Sequence, residues 1–144
     1  MNVGFTGTRQ GMTNEQKFEL ARLLGRYSQD MFEPWFLHGN CIGADEEAAI
    51  IANNLQFKLW SFPCDIPDLQ SKLVSHRVEL IETPLTRDRH IVRECDILIA
   101  TPKENARPSS YRGSGTWYTI NHCLKQNVKR RHVIIWPDGR LEHT

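Results

Sequence analysis

Asp96-Ile97-Leu98-Ile99-Ala100 is an apolar run behind a single carboxylate, and Thr101 to Gly113 follows it as a polar loop. A short continuous apolar run bounded by turn signals reads as a strand buried on both faces. The loop ends in Arg112-Gly113-Ser114-Gly115-Thr116, after which Trp117, Ile120, Cys123 and Leu124 recur at helical spacing. A buried strand, a glycine-bearing loop and a helix form the repeating half of a parallel α/β sheet.

The alternation continues on both sides. Asn2–Thr6 reads as a strand that runs into Thr6-Gly7-Thr8-Arg9. Thr13 and Gln16 form a T-x-x-Q capping box, which satisfies two free donors at a helix start. Phe18, Ala21, Leu24 and Tyr27 carry that helix to about Ser28. Trp35–His38 is a second strand, closed by Gly39-Asn40-Cys41-Ile42-Gly43, and a helix is predicted over Ala44–Asn54. Phe57–Phe62 is a third strand. The stretch from Pro63 to Leu85 reads as irregular, with a short helix around Leu69–His76, and Thr86 is the expected cap of a helix running to Cys95. Val133–Trp136 is the last strand and Pro137-Asp138-Gly139 a turn. Right-handed crossovers then predict an α/β, Rossmann-like, doubly wound parallel sheet of about five strands in the order 3-2-1-4-5. One domain over residues 1–144 accommodates it.

Composition narrows the function. Hydrophobic residues make up 40% and charged residues 24%, enough for a packed core. Lys plus Arg total 18 and Asp plus Glu 17, so no global basic field attracts DNA. Lys125, Lys129, Arg130 and Arg131 read as a solvated helix end rather than a nucleic-acid contact. No apolar run has membrane-spanning length and the first residues do not resemble a signal peptide, so a cytoplasmic protein is expected. The four cysteines are scattered without a C-x-x-C pair, which argues against a zinc site and a disulfide framework. No metal or resident cofactor is expected.

A doubly wound sheet binds ligands at the carboxyl ends of its strands, where the strand order reverses. Here that point lies between the first and fourth strands, so Thr6, Gly7, Thr8 and Arg9 face Gly113, Ser114, Gly115 and Thr116. Gly39, Asn40, Gly43, Ala44 and Asp45, after the second strand, lie beside them. The helix leading into the fourth strand starts at the same edge, which places Arg87 and Arg89 on the rim. Small residues admit backbone N–H groups to a phosphate, and arginines add permanent charge. Taken singly, each element has a plainer reading: Asp45 as a helix cap, the arginines as a solvated face. Their convergence on one edge favours an anion pocket.

In order and spacing, Val3-Gly4-Phe5-Thr6-Gly7-Thr8-Arg9, His38-Gly39-Asn40-Cys41-Ile42-Gly43-Ala44-Asp45, Arg87-Asp88-Arg89-His90-Ile91-Val92 and Gly113-Ser114-Gly115-Thr116 resemble the SLOG superfamily. That group includes the LOG phosphoribohydrolases and the Rossmann-like domain of DNA-processing protein A, and the likeness is nearest to small bacterial and phage members. The resemblance implies a nucleotide or nucleotide-derived, ribose-phosphate ligand, which the protein senses or sequesters. LOG enzymes carry P-G-G-x-G-T-x-x-E and cleave the N-glycosidic bond of nucleoside 5′-monophosphates. Here Arg112 stands at the first glycine and Thr119 at the catalytic glutamate. Threonine cannot stabilise an oxocarbenium-like state as a carboxylate does. The alternative is a hydrolase using another carboxylate: Asp45, Glu46, Glu47 or Asp88. If only the carboxylate is missing, Thr119→Glu is expected to confer cleavage. A homo-oligomer is compatible with the resemblance, since many relatives pair through helices.

Overall fold

The computed structural model describes residues 1–126 and 131–143. β1 (Asn2–Gly7) is the centre of the sheet, flanked by β2 (Trp35–His38) and β5 (Ile97–Thr101), both parallel to it. Its side chains alternate: Val3 and Phe5 enter one core, while Gly4 lets Cys95 and Ile91 pack close on the other side. α1 (Asn14–Asp30) and α2 (Ala44–Asn54) cover the first face. There Leu20, Leu24, Ala48 and Ala52 bury against Phe36, Ile97, Ile99 and Val133. α3 (Pro84–Glu94) and α4 (Gly115–Leu124) cover the second, with Ile91, Val92 and Cys123 packed on Leu37 and Leu98. Trp117 and Ile120 of α4 pack against Ala100, Ile134 and Trp136.

Among the described residues the sheet has seven strands, not five. Beyond β3 (Lys58–Ser61) lies β4 (Arg77–Val78), and beyond β6 (Arg131–Ile135) lies β7 (Leu141–His143). The full order is β4-β3-β2-β1-β5-β6-β7, and β7 is antiparallel, so the sheet is mixed. The five expected strands keep their relative order inside it. The additions are two and three residues long, too short to show a periodicity. β7 is the return arm of the Pro137–Gly139 turn, where Gly139 N–H donates to Trp136 O (2.8 Å) and Trp136 N–H to Arg140 O (2.9 Å).

Two other expectations change. Leu69–His76 is not a helix, and a 3-10 turn occupies only Pro67–Leu69. Its backbone is spent on the loop after β2: Ile42 N–H donates to Leu69 O, and Ser71 N–H to Asn40 O. α3 starts before Thr86, with Thr83 as its cap and Pro84 at the first helical position. A proline fits there because its missing N–H would have had no partner.

The capping box at α1 is present as expected. Thr13 Oγ1 accepts from Gln16 N–H (3.1 Å), and Gln16 Oε1 accepts from Thr13 N–H (3.0 Å). Thr13 Oγ1 also donates to Pro137 O (2.7 Å), tying α1 to the β6–β7 turn. Thr13→Ala is expected to lower unfolding free energy by about 1–2 kcal/mol in a denaturant titration. No helix among the described residues is long and apolar enough to cross a membrane. Lys129 and Arg130 lie outside the described residues.

Candidate functional site

At the carboxyl ends of β1, β2 and β5 the loops enclose a crevice of about 1000 Å³. Thr6, Gly7, Thr8 and Arg9 line it from β1, Gly39 and Asp45 from β2, and Gly113, Ser114, Gly115 and Thr116 from the start of α4. Arg87 lines it from α3. Four of the expected residues lie outside the lining. Gly43 has φ +85, and a Cβ there would sit 2.2 Å from the carbonyl oxygen of Arg9, so it joins two loops by close backbone approach. Ala44 is buried and donates its N–H to Thr8 O (3.0 Å). Asn40 donates its N–H to His38 Nδ1 (3.1 Å). Arg89 is exposed and reaches Thr86 Oγ1 (3.3 Å) rather than the crevice.

Arg87 lies in the floor, not on the rim, and is only 7% exposed. Its Nε donates to Asp88 Oδ1 (2.8 Å) and its Nη1 to Phe62 O (3.1 Å) and Gly39 O. Cys41 Sγ lies 3.6 Å from Nη1 and from Nη2. Asp45 Oδ2 accepts the Cys41 N–H (3.3 Å). A side chain at Gly39 would collide with both Arg87 Nη1 (2.3 Å) and Asp45 Oδ2 (2.7 Å). The glycine after β2 therefore makes room for the buried Arg87–Asp88 ion pair and for the Asp45 carboxylate.

Burial sets the electrostatics of this floor. It pushes Asp45 up to about 6, with Asp88 adding to the rise and Arg87 opposing it. Asp88 is raised by burial too, opposed by Arg87, the Thr119 hydroxyl and Arg9. Burial holds the Cys41 thiol up at about 12, so the sulfur is no ready nucleophile. It lowers His38 to about 4, with Arg87 adding to the fall, and that ring stays neutral. A carboxyl raised in the folded state contributes stability that is present below its ordinary value and lost as pH rises through about 6. Asp45→Asn removes that loss. Its stability relative to the unsubstituted protein is expected to improve from pH 4 towards about pH 6.5 in parallel denaturant titrations.

The mouth differs from the floor. Arg9, from the loop after β1, and Lys103 and Arg112, from the two ends of the loop after β5, line it, and all are exposed. Their side chains make no hydrogen bond or ion pair among the described residues. Ser114 caps α4 by accepting the Trp117 N–H (3.2 Å). The N–H groups of Gly115 and Thr116, in the first turn, have no acceptor among the described residues and border the same space. Tyr111 and Tyr118 add aromatic wall, Tyr111 stacking on Trp117 at 6.1 Å and 11°. Lys103 and the tyrosines carried no signal in the sequence beyond membership of a polar loop and a helix. Arg112 read only as a departure from a glycine motif.

Thr119 is 1% exposed, and its Oγ1 donates to Gly115 O (2.7 Å). Its hydroxyl also reaches the Asp88 carboxylate. A carboxylate thus stands beside the position where the LOG signature has its glutamate, supplied from α3 instead of α4.

The chain matches no protein-family model and no curated protein. Solved structures do resemble it. The molybdenum cofactor binding protein from Rippkaea orientalis is 16% identical with a TM-score of 0.68, over 94% of this chain and 76% of that one. The molybdenum cofactor carrier protein from Chlamydomonas reinhardtii is 20% identical with a TM-score of 0.61, over 92% and 74%. DNA processing protein A from Helicobacter pylori, described for its single-stranded DNA binding mode, is 14% identical with a TM-score of 0.61, over 93% and 64%. At these identities the likeness is one of fold.

Proposed function

This chain has the Rossmann-like fold of the SLOG superfamily, and on that premise we propose that its crevice binds a phosphorylated, nucleotide-derived small molecule. The observation that carries the reading is the mouth: Arg9, Lys103 and Arg112 make no side-chain hydrogen bond or ion pair among the described residues and are arranged around two N–H groups at a helix start that have no acceptor among them. Phosphate chemistry matches that set, and the aromatic wall suits a ring. The floor, with two carboxylates, suits the uncharged part of the ligand. Two structural neighbours are named for binding or carrying a small-molecule cofactor, which supports a holding role over a transforming one. The near-neutral charge weighs against DNA as the partner.

Arg9→Ala and Arg112→Ala are each expected to weaken a nucleoside monophosphate about ten-fold or more while changing the matching nucleoside little. Arg89→Ala, outside the crevice, is expected to leave both unchanged. Isothermal titration calorimetry reads the ratio, and equal losses for phosphorylated and unphosphorylated ligands would remove the phosphate reading. Native mass spectrometry of freshly purified protein names any nucleotide that stays bound. A second reading, N-glycosidic cleavage, is favoured by Asp45 and Asp88 lining one crevice. It is decided by chromatography of nucleoside monophosphates after incubation, where robust release of free base would place it first.

A further inference from the structure

The carboxylate of Asp88 is 7% exposed, lines the crevice and is incompletely satisfied. Oδ1 takes the Arg87 Nε proton (2.8 Å). The other donor on the group among the described residues is the Thr119 hydroxyl, whose single proton is also directed at Gly115 O (2.7 Å). An ionised carboxylate has about four lone-pair sites, so acceptor capacity is left over towards the crevice.

Gly115 bears on this. Its backbone is not in the left-handed region, so no turn demands glycine there. A Cβ at 115 would meet only Asp88 Oδ2, at an ordinary 3.6 Å. Neither conformation nor crowding by the protein excludes a side chain. What the absent side chain does is leave open the space directly in front of Oδ2. That space adjoins the free N–H groups of Gly115 and Thr116, where the phosphate is placed by the reading above.

We propose that Asp88 Oδ2 is a specificity contact, accepting a hydrogen bond from a hydroxyl or amino donor on the ligand through the gap above Gly115. The ligand is then a phosphate ester that also carries such a donor, and bare phosphate or an ester lacking the donor is discriminated against. Discrimination arises because a ligand without the donor displaces water from Asp88 Oδ2 without replacing its hydrogen bond. Sugar hydroxyls and a base amino group share this chemistry. The inference rests on the phosphorylated-ligand reading of the crevice.

The test uses the full chain and three probes: AMP, 2′,3′-dideoxy-AMP and purine riboside 5′-monophosphate. All three keep the phosphate. The second lacks both sugar hydroxyls, and the third lacks the base amino group. AMP is expected to bind at least ten-fold tighter than one of the other two, and which one identifies the donor. Asp88→Ala would leave Arg87 unpaired and unfold the floor, so the informative variant is Gly115→Ala, which fills the gap without straining the backbone. In Gly115→Ala the preference for AMP is expected to shrink to within about two-fold. Equal affinity for all three probes in the unsubstituted protein overturns this inference and leaves the phosphate reading standing. So does a preference that survives in Gly115→Ala. Failure of all three probes to bind overturns both.

Discussion

Arg87→Ala is expected to cost about 3–5 kcal/mol of folding stability, enough to leave much of the chain unfolded at 37 °C. The guanidinium is ion-paired with buried Asp88, acts electrostatically on buried Asp45 and donates to the carbonyls of Phe62 and Gly39. Without it, Asp88 loses its ion pair, Asp45 loses a nearby compensating charge, and two carbonyls lose their donor. Arg87→Lys is expected to rescue little, because one ammonium cannot reproduce a planar fork serving three acceptors. Adding Asp45→Asn and Asp88→Asn to Arg87→Met is expected to return a large part of the loss, since neutral groups of similar shape remove the repulsion. Chemical denaturation of the four proteins is the measurement. A loss under about 1 kcal/mol in Arg87→Ala would show that the floor does not depend on this ion group.

Thr119→Glu is expected to destabilise the protein by a similar amount, on the order of 3–5 kcal/mol, and to confer no glycosidic cleavage. The sequence alone suggests the opposite, because threonine stands where a related enzyme group has its catalytic carboxylate. In the structure the position is closed: Thr119 is buried, its hydroxyl bonds within α4, and Asp88 already occupies the neighbouring space. A glutamate would bring a second carboxylate against the first and add volume to a filled site. Its carboxyl would be held protonated in the fold, so the destabilisation should grow as pH rises from about 5 to 8. Denaturant midpoints across that range measure it. A stable variant with a flat profile would mean that the side chain finds a way out to the crevice.

Much of this fold is legible in the sequence because its signals are local. Val3 and Phe5, Phe36 and Leu37, and Ile97 to Ala100 are buried runs, and the Thr13–Gln16 box marks its helix unambiguously. β4 and β7 are not legible, since a two-residue strand exists only because β3 already offers it an edge. The loops that meet at the crevice follow from topology, which is why Gly7 and Gly115 are found lining the same space. Side-chain direction does not follow from topology. Arg87 and Arg89 are two apart on one helix, and a helix sends such residues to different faces: one is buried under the crevice and the other faces solvent. Arg9 is more than ninety residues from Lys103 and Arg112, and only the folded chain shows the three as one group.

The central position of β1 has a consequence for the time course of synthesis. β1 leaves the ribosome first, yet one of its two neighbours is β5, whose Ile97 pairs with Val3. Elongation at about 5–20 residues per second separates the two strands by on the order of ten seconds. Throughout that interval the β1 edge of the nascent half-sheet is unpaired, its backbone from Val3 to Gly7 waiting for β5. Hairpin-like shortcuts are unavailable, because parallel neighbours need a crossover before they can pair. Closure therefore waits for β5, which directly follows in the chain the helix α3 that packs over Gly4. A nascent chain halted before Ile97 keeps that edge open, and it is there that a holding chaperone or a second nascent chain would first attach.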